Sequence, residues 1–131
     1  MLTYKIVKLA RAMCEHEGWS PLNNPASKSG GPSVAYRNHN PGNLRSSVFA
    51  LSIRDGFAVF LNDDIGFFSM VYDLWCKCTN RTNTKLTPDS NIRDLISVWC
   101  PTGQDSINNY VKYVCAVTGY TETMLLKTLV D

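Results

Sequence analysis

Thr3-Tyr4-Lys5-Ile6-Val7-Lys8-Leu9-Ala10-Arg11-Ala12-Met13-Cys14-Glu15-His16-Glu17-Gly18-Trp19 is the stretch from which the rest of the chain is best read. Ile6, Leu9, Ala10, Met13 and Cys14 recur at helical spacing along one face. Thr3 is a residue type that caps a helix N-terminus, and Gly18 is the type that stops one. The pattern predicts a helix that begins at Tyr4 and is ended by Gly18. Ile6, Ala10, Met13 and Glu17 are separated by four, three and four residues and share a face, whereas Glu15 points away. Glu17 therefore continues an apolar stripe to the helix C-terminus. There, the negative end of the helix dipole and partial burial both favour the protonated carboxyl. A carboxyl that keeps its proton near neutral pH is what general acid catalysis at a glycosidic oxygen requires. The plainer reading of Glu17 is a solvated carboxylate that ends a helix.

Working outward, Ser20 to Arg45 is rich in Pro, Asn, Ser and Gly, too polar for a helix and too long for a simple connector, so it reads as a functional loop. Its end, Tyr36-Arg37-Asn38-His39-Asn40-Pro41-Gly42-Asn43-Leu44-Arg45, is dense in amide and guanidinium groups suited to sugar hydroxyls and N-acetyl groups. Two short strands are expected around Val48 to Ile53 and Gly56 to Leu61, joined by Asp-Gly turn chemistry. Asp63 or Asp64 can cap an apolar helix through Ile65, Phe67, Phe68, Val71, Leu74 and Trp75, hydrophobic enough around its circumference to be central to the core. A further helix is expected from Pro88 to Trp99, capped by Ser90 and closed by Pro101, and another from Ser106 to Val117, ended by Thr118-Gly119. Thr121 can cap a last helix through Met124, Leu125 and Leu129. With no repeat or linker in 131 residues, the expectation is one domain over 1–131, of α+β class and mostly helical.

Bulk properties exclude several classes. A formal net charge of +2 is too mild for a dedicated nucleic-acid binder, although it tolerates an anionic polymer. No apolar run approaches the roughly 20 residues that span a bilayer, so no membrane insertion is expected. No signal-peptide pattern is visible at the start, so synthesis in the cytoplasm is expected, and delivery to any substrate outside it falls to other factors such as a holin. Cys14, Cys76, Cys78, Cys100 and Cys115 are odd in number and lack paired zinc spacing, which favours buried free thiols over metal ligands or disulfides. A metal-dependent nuclease built on His39, Arg37 and Arg45 is a weak reading, because His16 and His39 are the only histidines. No cofactor and no metal are expected.

Taken in order, the helix ending in Glu17-Gly18-Trp19, the run Asn40-Pro41-Gly42-Asn43-Leu44-Arg45, then Gly56-Phe57-Ala58-Val59-Phe60, Asp64-Ile65-Gly66, Trp99-Cys100-Pro101 and Tyr110 upstream of Thr118-Gly119 span nearly the whole chain. In this combination the chain resembles a family of phage and prophage lysozyme-like proteins, muramidases or lytic transglycosylases, with His39 and Cys100 as local departures. The resemblance implies a lysozyme-like fold: a small antiparallel hairpin or sheet beside a helical bundle, with the catalytic glutamate at a helix end just before the sheet. It implies cleavage of the MurNAc-GlcNAc β-1,4 bond of peptidoglycan, with Glu17 as the acid and Asn40 and Asn43 shaping the cleft floor. It also makes Tyr110 a candidate to reach the glutamate or the sugar, although a helical tyrosine is more often a core residue. Trp19, Tyr36, Trp99 and Tyr110 can stack on pyranose rings, Trp19 best of them because it adjoins the acid; for each, packing is the plainer role.

A second carboxylate is harder to find. Asp55 sits in a turn, and Asp63 and Asp64 look like caps, so their structural roles outweigh catalytic ones. A single glutamate suits a transglycosylase, in which one residue serves as acid and then base, slightly better than a hydrolase with Asp55, Asp63 or Asp64 holding a water. The partners expected are peptidoglycan glycan strands and, for a virion component, other virion proteins. The alternative from another class is a virion structural or cell-wall-binding protein that keeps the fold and cuts nothing.

Overall fold

The computed structural model describes residues 3–19, 33–100 and 102–130. In chain order the elements are α1 (Tyr4–His16), α2 (Val34–Arg37), β1 (Ser52–Arg54), β2 (Phe57–Val59), α3 (Asp63–Cys78), α4 (Ile92–Trp99), α5 (Gln104–Thr118) and a closing 3-10 turn, Leu126–Leu129. The class is α+β and mostly helical, with a two-stranded antiparallel sheet. They fall into two compact units, one of residues 13–71 and one of residues 1–12 with 72–131. Among the described residues no helix is long and apolar enough to cross a membrane.

In the unit of residues 1–12 and 72–131, Thr3 caps α1 as its sequence position suggests: its hydroxyl oxygen accepts the Ile6 N–H at 3.3 Å. The same hydroxyl donates to the Leu129 carbonyl, and Tyr120 donates to the Lys5 carbonyl at 3.1 Å, tying the C-terminal segment to the first turns of α1. Ile6, Leu9 and Ala10 are fully buried. The cap of α4 is Asn91, not Ser90: Asn91 accepts the Asp94 N–H at 2.9 Å while Asp94 accepts the Asn91 N–H at 3.0 Å, a reciprocal capping box. Ser90 instead accepts the Thr87 N–H in the preceding turn. Helix α5 is longer than its pattern suggests, and Gly119 ends it at φ +77°. The proposed stop at Pro101 lies outside the described residues.

The expected last helix is not an α-helix. Ile92 and Arg93 donate their N–H groups to the Met124 and Glu122 carbonyls, and Leu126 and Lys127 donate to those of Ser90 and Pro88, all within 3.1 Å. The Glu122 and Met124 carbonyls are thus taken up by residues 92 and 93, with a bridge between Asn91 and Leu125, and in this stretch only the following 3-10 turn is helical.

In the unit of residues 13–71, one turn of helix, α2, lies inside the polar segment expected to be loop throughout, because Ser33 accepts the Tyr36 N–H and supplies a cap. The hairpin forms with the expected turn, Asp55 and Gly56 having φ of +52° and +82° as a type I′ turn requires, but Val48 to Leu51 stay outside the strands. The cap of α3 is Asn62, whose side chain accepts the Ile65 N–H at 2.9 Å, so Asp63 and Asp64 sit in the first turn rather than at the cap. Around α3, Met70, Val71 and Leu74 are buried but Phe68 is 45% exposed, so the helix is two-sided rather than buried all round.

Candidate functional site

The site is built where α1 stops. Glu17 follows the last helical residue, and Gly18 has φ +95°. The Gly18 N–H donates to the Glu15 carbonyl at 3.1 Å and the Trp19 N–H to the Cys14 carbonyl at 3.0 Å. This pair of bonds is a Schellman turn, with Glu17 as the C-cap residue and Gly18 as the left-handed residue after it. A side chain at position 18 would be strained at that φ, so the glycine is what lets the chain reverse immediately after the carboxylate. Glu17 is half-buried, and Met13 and Cys14 beneath it are fully buried.

Two loop side chains hold the carbonyls of this turn. The Ser33 hydroxyl donates to the Gly18 carbonyl at 2.7 Å while accepting the Tyr36 N–H at 3.1 Å. The Asn43 amide points its nitrogen at the Glu17 carbonyl at 3.5 Å, the long limit of a hydrogen bond. Asn43 has φ +51°, and its buried Oδ1 finds no hydrogen-bond partner among the described residues; nor does the buried indole Nε1 of Trp19. Buried, unsatisfied polar atoms are uncommon enough in folded proteins to mark a strained or functional place.

Asn40 anchors the loop beneath. It is fully buried: its amide nitrogen donates to the Leu44 and Ala58 carbonyls, and its oxygen accepts the Leu44 N–H, all at 2.9 Å. The Phe60 N–H donates to the Asn38 carbonyl and the Ala58 N–H to the Leu44 carbonyl, each at 2.9 Å, so loop backbone and one asparagine take the place of a third strand along β2. The loop then packs on α3 through two glycines. A Cβ on Gly66 would stand 1.9 Å from the His39 carbonyl oxygen, and one on Gly42 would stand 2.7 Å from Met70 Cγ. Met70 Sδ in turn lies 3.1 Å from Cys14 Sγ of α1.

The other residues singled out in the sequence have definite places. Trp19 is 5% exposed, its ring stacked 6.3 Å from Phe67, so it packs rather than offering an open platform. Tyr36, on α2, is exposed. Asp55 is exposed in the hairpin turn, Asp64 is exposed on α3, and Asp63 lies 3.0 Å from His39 Nδ1. Tyr110 is fully buried within the other unit, and the Lys77 ammonium sits 5.2 Å over the Trp99 ring there. Cys14 and Cys78 are buried, while Cys76, Cys100 and Cys115 are part-exposed, and all five are free thiols. Burial pushes the Cys78 thiol up to about 12, against a smaller opposing effect of Lys77.

Among the described residues, no three His, Cys, Asp or Glu side chains come together as a metal site. The sequence reading passed over Ser33 and the His39–Asp63 pair. A serine three residues before a tyrosine in a polar stretch is a cap signal, but its bond to Gly18 spans a separation of 15 residues and has no sequence signature. Comparison with known proteins finds no family model that matches the chain, no similar curated protein and no similar solved structure.

Proposed function

We propose that this chain cleaves the glycan backbone of peptidoglycan at the MurNAc-GlcNAc β-1,4 bond, with Glu17 as the general acid. The observation that carries the reading is a half-buried carboxylate at the C-cap of α1, locked by a Schellman turn and braced by a loop that leaves a buried acceptor on Asn43 and a buried donor on Trp19 unpaired. The family resemblance of the sequence motifs supplies the substrate class. Glu17 delivers its proton to the leaving oxygen as the bond to the anomeric carbon breaks.

A lytic transglycosylase is favoured over a hydrolase. The muramyl C6 hydroxyl closes on the anomeric carbon, and the Glu17 carboxylate takes the proton of that hydroxyl, so the residue ends as it began and no water is consumed. The surroundings of the aspartates suit this course: Asp63 is tied to His39, and Asp55 is held in the turn at positive φ.

A second reading has an observation of its own. Val48, Phe49, Leu51, Ile53, Leu61 and Phe68 are all exposed within residues 48–68, an apolar display more common on assembling proteins than on free enzymes. A virion structural or wall-binding protein would show it and cut nothing.

Digestion of purified peptidoglycan with mass spectrometry of the products separates these readings. The expected products are 1,6-anhydro-muramyl species, and Glu17→Gln lowers their rate by at least about 100-fold with thermal stability unchanged, the scale of a lost general acid. Activity within about tenfold of wild type, roughly 1.4 kcal/mol of barrier, would remove Glu17 from the mechanism. Reducing-end muramyl products alone would make the protein a hydrolase, and no products at all would favour the binding role.

A further inference from the structure

We infer that Ser33 is a positioning residue for Glu17, a role that rests on the reading of Glu17 as the acid. Its hydroxyl is used in both directions: the oxygen accepts the Tyr36 N–H at 3.1 Å, and the proton goes to the Gly18 carbonyl at 2.7 Å. The first bond starts α2. The second joins that helix start to the residue next to Glu17, across 15 residues of chain.

The approach is close as well as polar. A Cβ placed on Gly18 would stand 3.2 Å from the Ser33 Cβ, so the glycine and the serine lie face to face and a side chain on the glycine would press on the serine. Gly18 has φ +95°, a region open to glycine and therefore soft, and a C-terminal helical turn frays easily when its carbonyls are left to water. Glu17 is the C-cap residue of this turn. Ser33 fixes the Gly18 carbonyl, and Asn43, at 3.5 Å from the Glu17 carbonyl, offers a longer second contact. Together they limit rotation of the backbone that carries the carboxylate, and a proton donor displaced by about 1 Å loses on the order of 100-fold in rate.

The separation of roles can be tested in the full chain. Ser33→Ala removes both bonds. Ser33→Gly also lacks the hydroxyl but remains a serviceable helix cap, weakening it by only a few tenths of a kcal/mol. Ser33→Thr keeps the hydroxyl. The alanine and glycine variants are expected to lower kcat on peptidoglycan about tenfold, with KM within about twofold of wild type, and the threonine variant to restore kcat. A purely structural serine would change melting temperature and the folded fraction while leaving turnover per folded molecule alone. In parallel, the Glu17 carboxyl is titrated by NMR in the same proteins. Its midpoint should move in the alanine and glycine variants and return in the threonine variant.

An unmoved Glu17 titration in Ser33→Gly overturns the inference whatever the turnover, and a moved titration with wild-type kcat overturns it too. If the wild-type protein releases no products, or Glu17→Gln releases as much as wild type, the general-acid reading fails instead. The titration then still reports whether Ser33 positions the carboxylate.

Discussion

Asparagine does two different jobs in the two units. In the unit containing α4, Asn91 sits at a helix start and exchanges bonds with Asp94, a local arrangement four residues long with its cap partly in water. In the unit of residues 13–71, Asn40 is fully buried and holds the backbone at Leu44 and Ala58, so one side chain stands in for part of a strand. Among the described residues, three of the four non-glycine residues with positive φ, His39, Asn43 and Asp55, lie in that second unit, as do two of the three buried unpaired polar side-chain atoms. Left-handed conformations and unpaired buried polar atoms cost free energy, and they persist where the surrounding structure fixes them. The first unit has one of each, Asn80 and the Trp75 indole Nε1, and its side-chain bonds lie mostly at caps and at the surface, as in a scaffold.

The largest expected effect tests the core of the scaffold unit against the apolar display of the other. Leu74→Ala should destabilise the fold by about 2–5 kcal/mol, the usual range for a fully buried leucine, since Leu74 has no exposure. Phe68→Ala, despite removing a larger side chain from the same helix, should lower stability by only about 1 kcal/mol because Phe68 is 45% exposed and packs edge-on against Phe49. Denaturant melts of both variants measure the contrast; equal losses would show that Phe68 is buried in solution by a partner or a second copy.

Next in size is the pair of asparagines. Asn40→Ala removes three backbone hydrogen bonds in a buried place and should cost about 2–4 kcal/mol, whereas Asn91→Ala loses one cap and should cost about 1 kcal/mol. Hydrogen exchange adds a local readout: the amides of Leu44, Ala58 and Phe60 should lose protection in the first variant and keep it in the second. Similar melts for the two variants would abolish the distinction between the units.

The smallest effect concerns acid. The hydrogen bond from Arg93 holds the Glu122 carboxyl below the usual glutamate range, against a weaker opposing influence of desolvation. A carboxyl depressed in the folded state contributes stability that is present above its unfolded value and is lost as the pH falls through the folded one. Glu122→Gln should therefore behave as wild type below that range and be slightly less stable at neutral pH. The pair is exposed, so the difference should shrink further in high salt. An effect that persists at high salt would mean that the bond joining α4 to the segment around Glu122 is shielded from water.

The sequence was enough for what depends on neighbours along the chain. Thr3 and the buried stripe of Ile6, Leu9, Ala10 and Met13 predict α1, Gly18 predicts its end, and Asp55-Gly56 predicts the hairpin turn, because capping, helical periodicity and left-handed φ are local matters. Glu17 could be singled out for the same reason, as the next residue on a helical face. Tertiary structure alone decided the rest. Residues 121–125 have a helical signal but bond to residues 88–93, since a backbone that finds partners elsewhere no longer needs its own. Which sides of α3 are buried depended on what packs there, and Phe68 and Leu74 read alike in sequence. The bond from Ser33 to Gly18, the bracing of Asn40 against β2 and the fit of Gly66 beneath the His39 carbonyl all join residues distant in the chain, and no spacing rule reaches that far. Local chemistry chose the elements, and long-range hydrogen bonding and close packing determined how the end of α1 is held.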